Sequence, residues 1–121
     1  SDVCSSDQYK ERYRKAILFF CVQSYSVSSK LLSQIKEDYP LIWNKVLVFQ
    51  KKLLLNLQSY YEIGIQKEVF IKNSNPLLLS LNDQQFFILL SQHKILEKNK
   101  IDVLNAFNHH YKIKFYGLIK K

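Results

Sequence analysis

The stretch YPLIWNKVLVFQKKLLLNLQSYYEIG, from Tyr39 to Gly64, decides the fold of this chain. Pro40 fits the first turn of a helix, where the N–H that it lacks has no partner, and it disfavours helical geometry for the residue before it. Apolar side chains then recur every three or four residues, while Phe49 and Leu55 lie outside this stripe. We therefore predict a long central helix over 40–64 that is contacted on several sides. Gly64 suits either a left-handed C-cap or a close approach by another segment.

Two helices are predicted before this central helix. Apolar residues at helical spacing indicate a first helix over 7–24, and Asp7 is a suitable N-cap for it. A serine-rich stretch then favours a break, because serine hydroxyls compete for backbone hydrogen bonds. A short helix is expected over 28–37, before the proline that starts the central helix.

Two further helices are predicted after the central helix. Asn75 and Pro76 supply a cap and a first helical position for a very apolar helix over 76–93. A charged connector follows over 94–100, and the last helix is expected over 100–115. The predicted fold class is therefore all-α, a single-domain helical bundle of about five helices.

The length and composition agree with such a bundle. The chain has 121 residues, enough for one domain with a hydrophobic core, and its aromatic content of 14% argues against disorder. Two glycines and two prolines are too few for an all-β sandwich or for a glycine-rich phosphate loop. We expect 7–118 to form the domain, 1–6 to be a disordered or artificial N-terminus, and 119–121 to be a basic tail.

The positive charge is spread along the whole chain. The net charge is +8, and only Arg12 and Arg14 are arginines among the 18 basic residues. A nucleic-acid surface usually concentrates its charge and favours arginine, so we interpret the lysines as a solvated surface.

Cysteine and hydropathy patterns predict a reduced, cytoplasmic, soluble protein. Cys4 and Cys21 form no disulfide framework or metal motif, and Cys21 lies in an apolar run that suits a small buried side chain. That run, over 16–22, is far shorter than the roughly 20 residues that span a bilayer. No signal peptide is visible, and no membrane partner is expected.

No catalytic or metal site is predicted. His109 and His110 are adjacent, so on a helix they point about 100° apart and cannot chelate one ion as an i, i+4 pair does. No serine lies in a nucleophile elbow, and the carboxylates stand beside lysines or at helix ends. We expect a protein that is not an enzyme and that has no cofactor.

A ligand pocket is predicted where the first two helices meet the central helix. Pockets for small molecules are mostly apolar and carry a few polar groups, and two glutamines fall on otherwise apolar stripes there. The predicted ligand-binding residues are Phe20, Gln23, Tyr25, Trp43, Leu47, Gln50, Leu54, Leu57 and Tyr61. The alternative is ordinary core packing, with the amides reaching solvent.

A dimer interface is predicted on the last two helices. The helix over 76–93 is so apolar that part of its cover is expected to come from a second subunit, as a four-helix interface about a two-fold axis. The predicted centre of this interface is Phe86, Phe87, Leu90, Leu104, Phe107 and Tyr111. The alternative is a helical hairpin within a monomer.

The order of motifs resembles a known family. A helix start at Tyr39–Trp43, the segment Tyr61–Phe70, the turn Asn73–Pro76 and the closing segment Tyr111–Leu118 follow one another. This order resembles the C-terminal regulatory domain of the bacterial TetR/AcrR family of transcriptional regulators, over roughly residues 8–118. One departure is Glu68, which stands where that family usually has a second glycine.

The resemblance implies a function that composition alone does not. It implies an effector-binding and dimerisation domain, with a small apolar or amphipathic effector. Binding of that effector would be coupled to DNA binding by an N-terminal helix-turn-helix that this chain lacks. The alternative is a stand-alone helical protein-interaction module that uses the apolar helix over 76–93 as its anchor.

Overall fold

The described part of the chain is built from helices. A computed structural model describes the backbone of residues 2–26 and 29–120, and the side chains of 6–21 and 30–120. This part contains no β-strand and has six helices: α1 Asp2–Ser26, α2 Ser29–Asp38, α3 Pro40–Gln66, α4 Pro76–Ser91, α5 His93–Lys98 and α6 Val103–Leu118. The predicted all-α, single-domain bundle is therefore confirmed.

Two predictions fall on side chains outside the described part. The segment 1–6, which we expected to be disordered or artificial, has described side chains only at residue 6. The helical backbone of α1 already begins at Asp2. Asp7 therefore lies inside α1 and is not its N-cap. The side chains of Gln23 and Tyr25 also lie outside the described residues.

Proline and asparagine start the helices as predicted. Pro40 and Pro76 each occupy the first turn of their helix, α3 and α4. The Asn75 side chain accepts a hydrogen bond from the backbone N–H of Leu78 at 3.0 Å, which satisfies one of the free donors at the start of α4.

The predicted connector contains a helix. Backbone angles at Gln92 leave the helical region and end α4, after which α5 forms and buries Leu96. The last helix begins later than expected, because Lys100 has a positive φ of 55° and Asp102 is the cap. The Asp102 carboxylate accepts from the backbone N–H of Asn105 at 2.8 Å.

The helices pack in a fixed order around one core. α3 packs against α4, α1 packs against both α4 and α6, and α2 lies on α3. The core between them is rich in aromatic side chains and consists of Tyr9, Tyr13, Ile17, Cys21, Leu57, Tyr61, Val69, Phe70, Phe87, Leu90, Leu96, Phe107, Phe115 and Leu118.

Gly64 makes room for the ring of Phe70. A Cβ atom at Gly64 would lie 2.3 Å from two ring atoms of Phe70, and the glycine has no positive φ. Of the two roles predicted for it, the close approach is therefore the one observed. The chain turns back through Glu68, which has a φ of 60°, and the backbone N–H of Phe70 donates to the Gly64 carbonyl at 3.1 Å. A non-glycine residue in this left-handed region is strained.

The turn after α3 is also joined to the end of α6. The backbone N–H of Ile71 donates to the carbonyl of Leu118 at 2.8 Å, and that of Lys120 donates to the carbonyl of Val69 at 3.0 Å. These two bonds hold the start of the predicted basic tail against the turn.

Gly64→Ala tests the close packing between α3 and Phe70. The added methyl group collides with the ring of Phe70, and overpacking of this kind costs roughly 1–3 kcal/mol in the free energy of unfolding. Gly117→Ala is the matched control, because nothing lies within 4 Å of a Cβ there. An exposed helical glycine replaced by alanine gains about 0.5–1 kcal/mol. Urea unfolding of both variants checks this, and equal effects would contradict the packing described here.

Candidate functional site

An apolar cavity lies between α2, α3, α4 and one residue of α1. Its volume is about 390 Å³, within the range of small-molecule pockets. Most of its lining side chains are aliphatic or aromatic, and three are neutral polar residues. The lining residues are Phe20, Leu32, Ile35, Val46, Phe49, Gln50, Leu53, Leu54, Leu57, Gln84, Phe87, Ile88 and Ser91.

Three phenylalanines form one wall of the cavity. The rings of Phe20 and Phe49 are nearly parallel with centroids 6.0 Å apart, and the centroids of Phe20 and Phe87 are 4.6 Å apart. Both distances are typical of favourable aromatic pairs. Since these rings come from α1, α3 and α4, the wall also fixes how the three helices meet.

The cavity contains four of the predicted ligand-binding residues, Phe20, Gln50, Leu54 and Leu57. The other three predicted residues with described side chains do not line it, and they are Trp43, Leu47 and Tyr61. Tyr61 is fully buried in the core, and the side chain of Leu47 is 44% exposed.

The stripe of α3 that faces the cavity is rotated from the predicted one. Phe49, which the sequence pattern placed outside the stripe, lines the cavity, and Leu47 does not. The reason is that α2 packs on α3 and brings Leu32 and Ile35 over this side of the helix. The hydrophobic pattern shows which positions of α3 are apolar, but the packing of neighbouring helices determines which of these positions line the cavity.

A buried carboxylate, Asp83 on α4, lies at the centre of the bundle and is fully shielded from solvent. Its Oδ1 accepts from the hydroxyl of Tyr13 at 2.7 Å and lies 3.1 Å from both His110 Nε2 and Lys114 Nζ. Its Oδ2 accepts from the hydroxyl of Tyr61. We call these five residues the Asp83 cluster. The cluster joins α1, α3, α4 and α6.

The cluster keeps Asp83 ionised despite its burial. Burial alone would raise the pKa of this carboxyl, but the hydrogen bond from His110, the charge of Lys114 and the two tyrosine hydroxyls outweigh burial and lower the pKa below its ordinary value. Burial, followed by the charge of Asp83, raises the pKa of Tyr61. The carboxylate is therefore charged and the phenol neutral around pH 7.

Aromatic rings surround the two basic groups of the cluster. Lys114 has a side chain only 5% exposed, and its Nζ lies 5.7 Å and 5.1 Å from the ring centroids of Tyr13 and Tyr61. The His110 ring stacks on Phe86 with centroids 4.0 Å apart. Cation–π contacts and stacking stabilise these groups where water is scarce.

A second cleft lies between α4, α5 and α6, with a volume of about 740 Å³. His110 and Lys114 of the Asp83 cluster reach this cleft from the core side. Exposed apolar side chains also line it, among them Leu89, Ile101 and Ile113.

Three of the six residues predicted for the centre of a dimer interface are buried inside a single chain. Phe87, Leu90 and Phe107 are buried within the core of a single chain, so they cannot form the centre of an interface. They are buried because α1 packs against both α4 and α6. Leu104 is 53% exposed, and the remaining predicted residues, Phe86 and Tyr111, are partly buried against the same core.

Asp83, Tyr13 and Lys114 were not identified from the sequence. The sequence did contain one signal for the cluster. Asp83 is the only carboxylate in a helix that was predicted to be buried on nearly all sides, and a buried charge requires a partner. His110 and Lys114 stand four residues apart, a spacing that puts both on one side of a helix. The prediction for Cys21 is confirmed: it is a buried free thiol, and burial raises its pKa to about 12.

In comparisons with known proteins, no family model, no curated protein and no solved structure matches the chain. The resemblance to TetR/AcrR regulators therefore depends on the sequence motifs. Within residues 2–26 and 29–120, no helix is both long and apolar enough to cross a bilayer. The described residues also contain no group of three or more His, Cys, Asp or Glu side chains placed to hold a metal ion.

Lys114→Met tests how much the buried charge pair contributes to stability. Removing one partner of a buried pair leaves the other uncompensated, so we expect the free energy of unfolding to fall by roughly 3 kcal/mol. The exposed residue on the same helix, Lys112, provides the matched control Lys112→Met, for which we expect a change within about 0.5 kcal/mol. The double variant Asp83→Asn/Lys114→Met should lose less than the sum of its single variants. Additive losses in urea unfolding would contradict the pairing.

Proposed function

We propose that this chain is the effector-binding and dimerisation domain of a TetR-like transcriptional regulator. The observation that carries the proposal is the apolar cavity of about 390 Å³, which is lined by four of the nine residues predicted to bind an effector. The motif order from Tyr39 to Pro76 supports the family, and the all-α bundle is compatible with it.

The Asp83 cluster supports a route from the cavity to the rest of the bundle. Gln84 and Phe87 line the cavity on α4, and Asp83 on the same helix bonds to α1, α3 and α6. An effector that shifts α4 therefore changes the contacts of three other helices. Coupling of this kind is a difference in affinity for two arrangements, typically about 1–3 kcal/mol.

The second cleft supports the dimer. Of its exposed apolar side chains, Leu89 and Ile113 belong to α4 and α6, which also carry the Asp83 cluster, so movement of α4 would reach a partner docked there. A second copy of the chain is the occupant we propose, paired about a two-fold axis. In a complete regulator, such a change in pairing would reorient the two DNA-binding heads.

Light scattering on the purified chain tests the dimer. We expect a mass twice the 14.4 kDa of one chain. Ile113→Glu puts a charge on the 61% exposed isoleucine at the cleft and should give a monomer, because burying an unpaired carboxylate at an interface is unfavourable. Val48→Glu, at an exposed valine outside the cleft, should leave the dimer intact.

A monomer at every concentration would favour the other function, a stand-alone protein-interaction module that uses the cleft for a different partner. If Val48→Glu disrupts the dimer as much as Ile113→Glu does, the dimer interface does not lie at the second cleft.

DNA binding tests the regulatory part of the proposal. The complete gene product that contains this chain should carry a helix-turn-helix before Ser1 and should retard a DNA fragment from its own promoter region at moderate salt. The 121-residue chain alone should not, because its positive charge is dispersed. A complete protein with no sequence-specific binding in a gel shift would overturn the proposal.

A further inference from the structure

The described residues that line the cavity between α2, α3 and α4 carry no charge. None of the thirteen described residues that line it is charged, although the chain carries a net charge of +8. An anion bound against this lining would shed part of its hydration without gaining a counter-charge, which is unfavourable.

Two amides supply hydrogen-bonding groups to this apolar space. Gln50 on α3 and Gln84 on α4 both line the cavity, and because Gln50 is exposed and Gln84 is half-buried, their amides are accessible to a ligand. A side-chain amide both donates and accepts. The third polar group, the hydroxyl of Ser91, donates to the carbonyl of Ile88 at 2.6 Å and keeps only its acceptor capacity.

The phenylalanine wall adds a preference for shape. Phe20, Phe49 and Phe87 come from three helices and present rings toward the same space. Rings of this kind pack well against flat ring systems, which stack or meet them edge to face.

From these three observations we infer that the cavity binds uncharged, ring-bearing small molecules whose polar group bonds to Gln50 or Gln84, and that it excludes organic anions. The inference rests on the proposed function in that this molecule would be the effector. The inference goes beyond the proposed function because it names the charge of the ligand. The positive net charge of the protein attracts anions at long range, but the uncharged lining of the cavity disfavours them on contact.

A pair of fluorescent probes tests this selectivity. N-phenylnaphthylamine is uncharged, and anilinonaphthalene sulfonate has the same ring framework with one negative charge. Titration of the full 121-residue chain should give one site for the uncharged probe, with an affinity at least about tenfold higher than for the sulfonate. An equal or stronger affinity for the sulfonate would overturn the inference.

Substitutions at neighbouring glutamines locate the site. Gln84→Glu puts a carboxylate into the cavity and should weaken binding of the uncharged probe by at least about fivefold. Gln85→Glu adds the same charge to an exposed residue that does not line the cavity, so binding should stay unchanged. Gln84→Lys should narrow or reverse the preference between the two probes, because the lysine gives the sulfonate a counter-charge.

Circular dichroism of each variant confirms that it remains helical, and Gln50→Glu repeats the test from α3 should Gln84→Glu fail to fold. If Gln84→Glu and Gln85→Glu affect the uncharged probe equally, the probe binds elsewhere and the inference is wrong. These measurements contain no DNA. If the cavity prefers the uncharged probe but the complete protein does not bind its promoter, this inference stands and the proposed regulatory function is wrong. If the complete protein binds its promoter but the cavity shows no such preference, the regulatory function stands and this inference is wrong.

Discussion

A carboxylate that is removed from water must have its charge balanced by the chain itself, and Asp83 is in that position. Its two oxygens are satisfied by side chains of α1, α3 and α6, so correct placement of α4 requires those three helices to be in register. Apolar packing tolerates small shifts between helices, but short polar contacts in a dry interior do not. We therefore expect the cluster to favour one arrangement of the helices over others that apolar packing alone would allow.

The positions of the helices were largely predictable because local chemistry sets them. Pro40 and Pro76 begin helices, and Asn75 caps one, for reasons that involve only nearby backbone groups. The short helix α5 was missed because six residues give too little periodicity to distinguish a helix from a connector. Its formation depends on Leu96 reaching the core, which is a tertiary contact.

The cavity and the Asp83 cluster were predictable to different degrees. Four of the cavity residues follow from apolar periodicity with a glutamine in the stripe, whereas the contribution of Phe49 to the lining depends on how α2 lies on α3. The cluster joins Tyr13 to residues 70 and 97 positions away, and no local pattern links them. Likewise, the burial of Phe87 and Phe107 within one chain follows from the position of α1 between α4 and α6.

The cluster also constrains how this sequence can diverge. Because Asp83 and Lys114 balance each other without water, replacement of either one alone leaves an unmatched ion, and an intermediate of that kind is selected against. Descendants of a common ancestor should therefore keep both residues or exchange both for neutral ones. Exchange of either tyrosine for phenylalanine removes one neutral donor and no net charge, so it should be tolerated better than the loss of one ion. Covariation between columns 83 and 114 of an alignment would be the evolutionary trace of this contact.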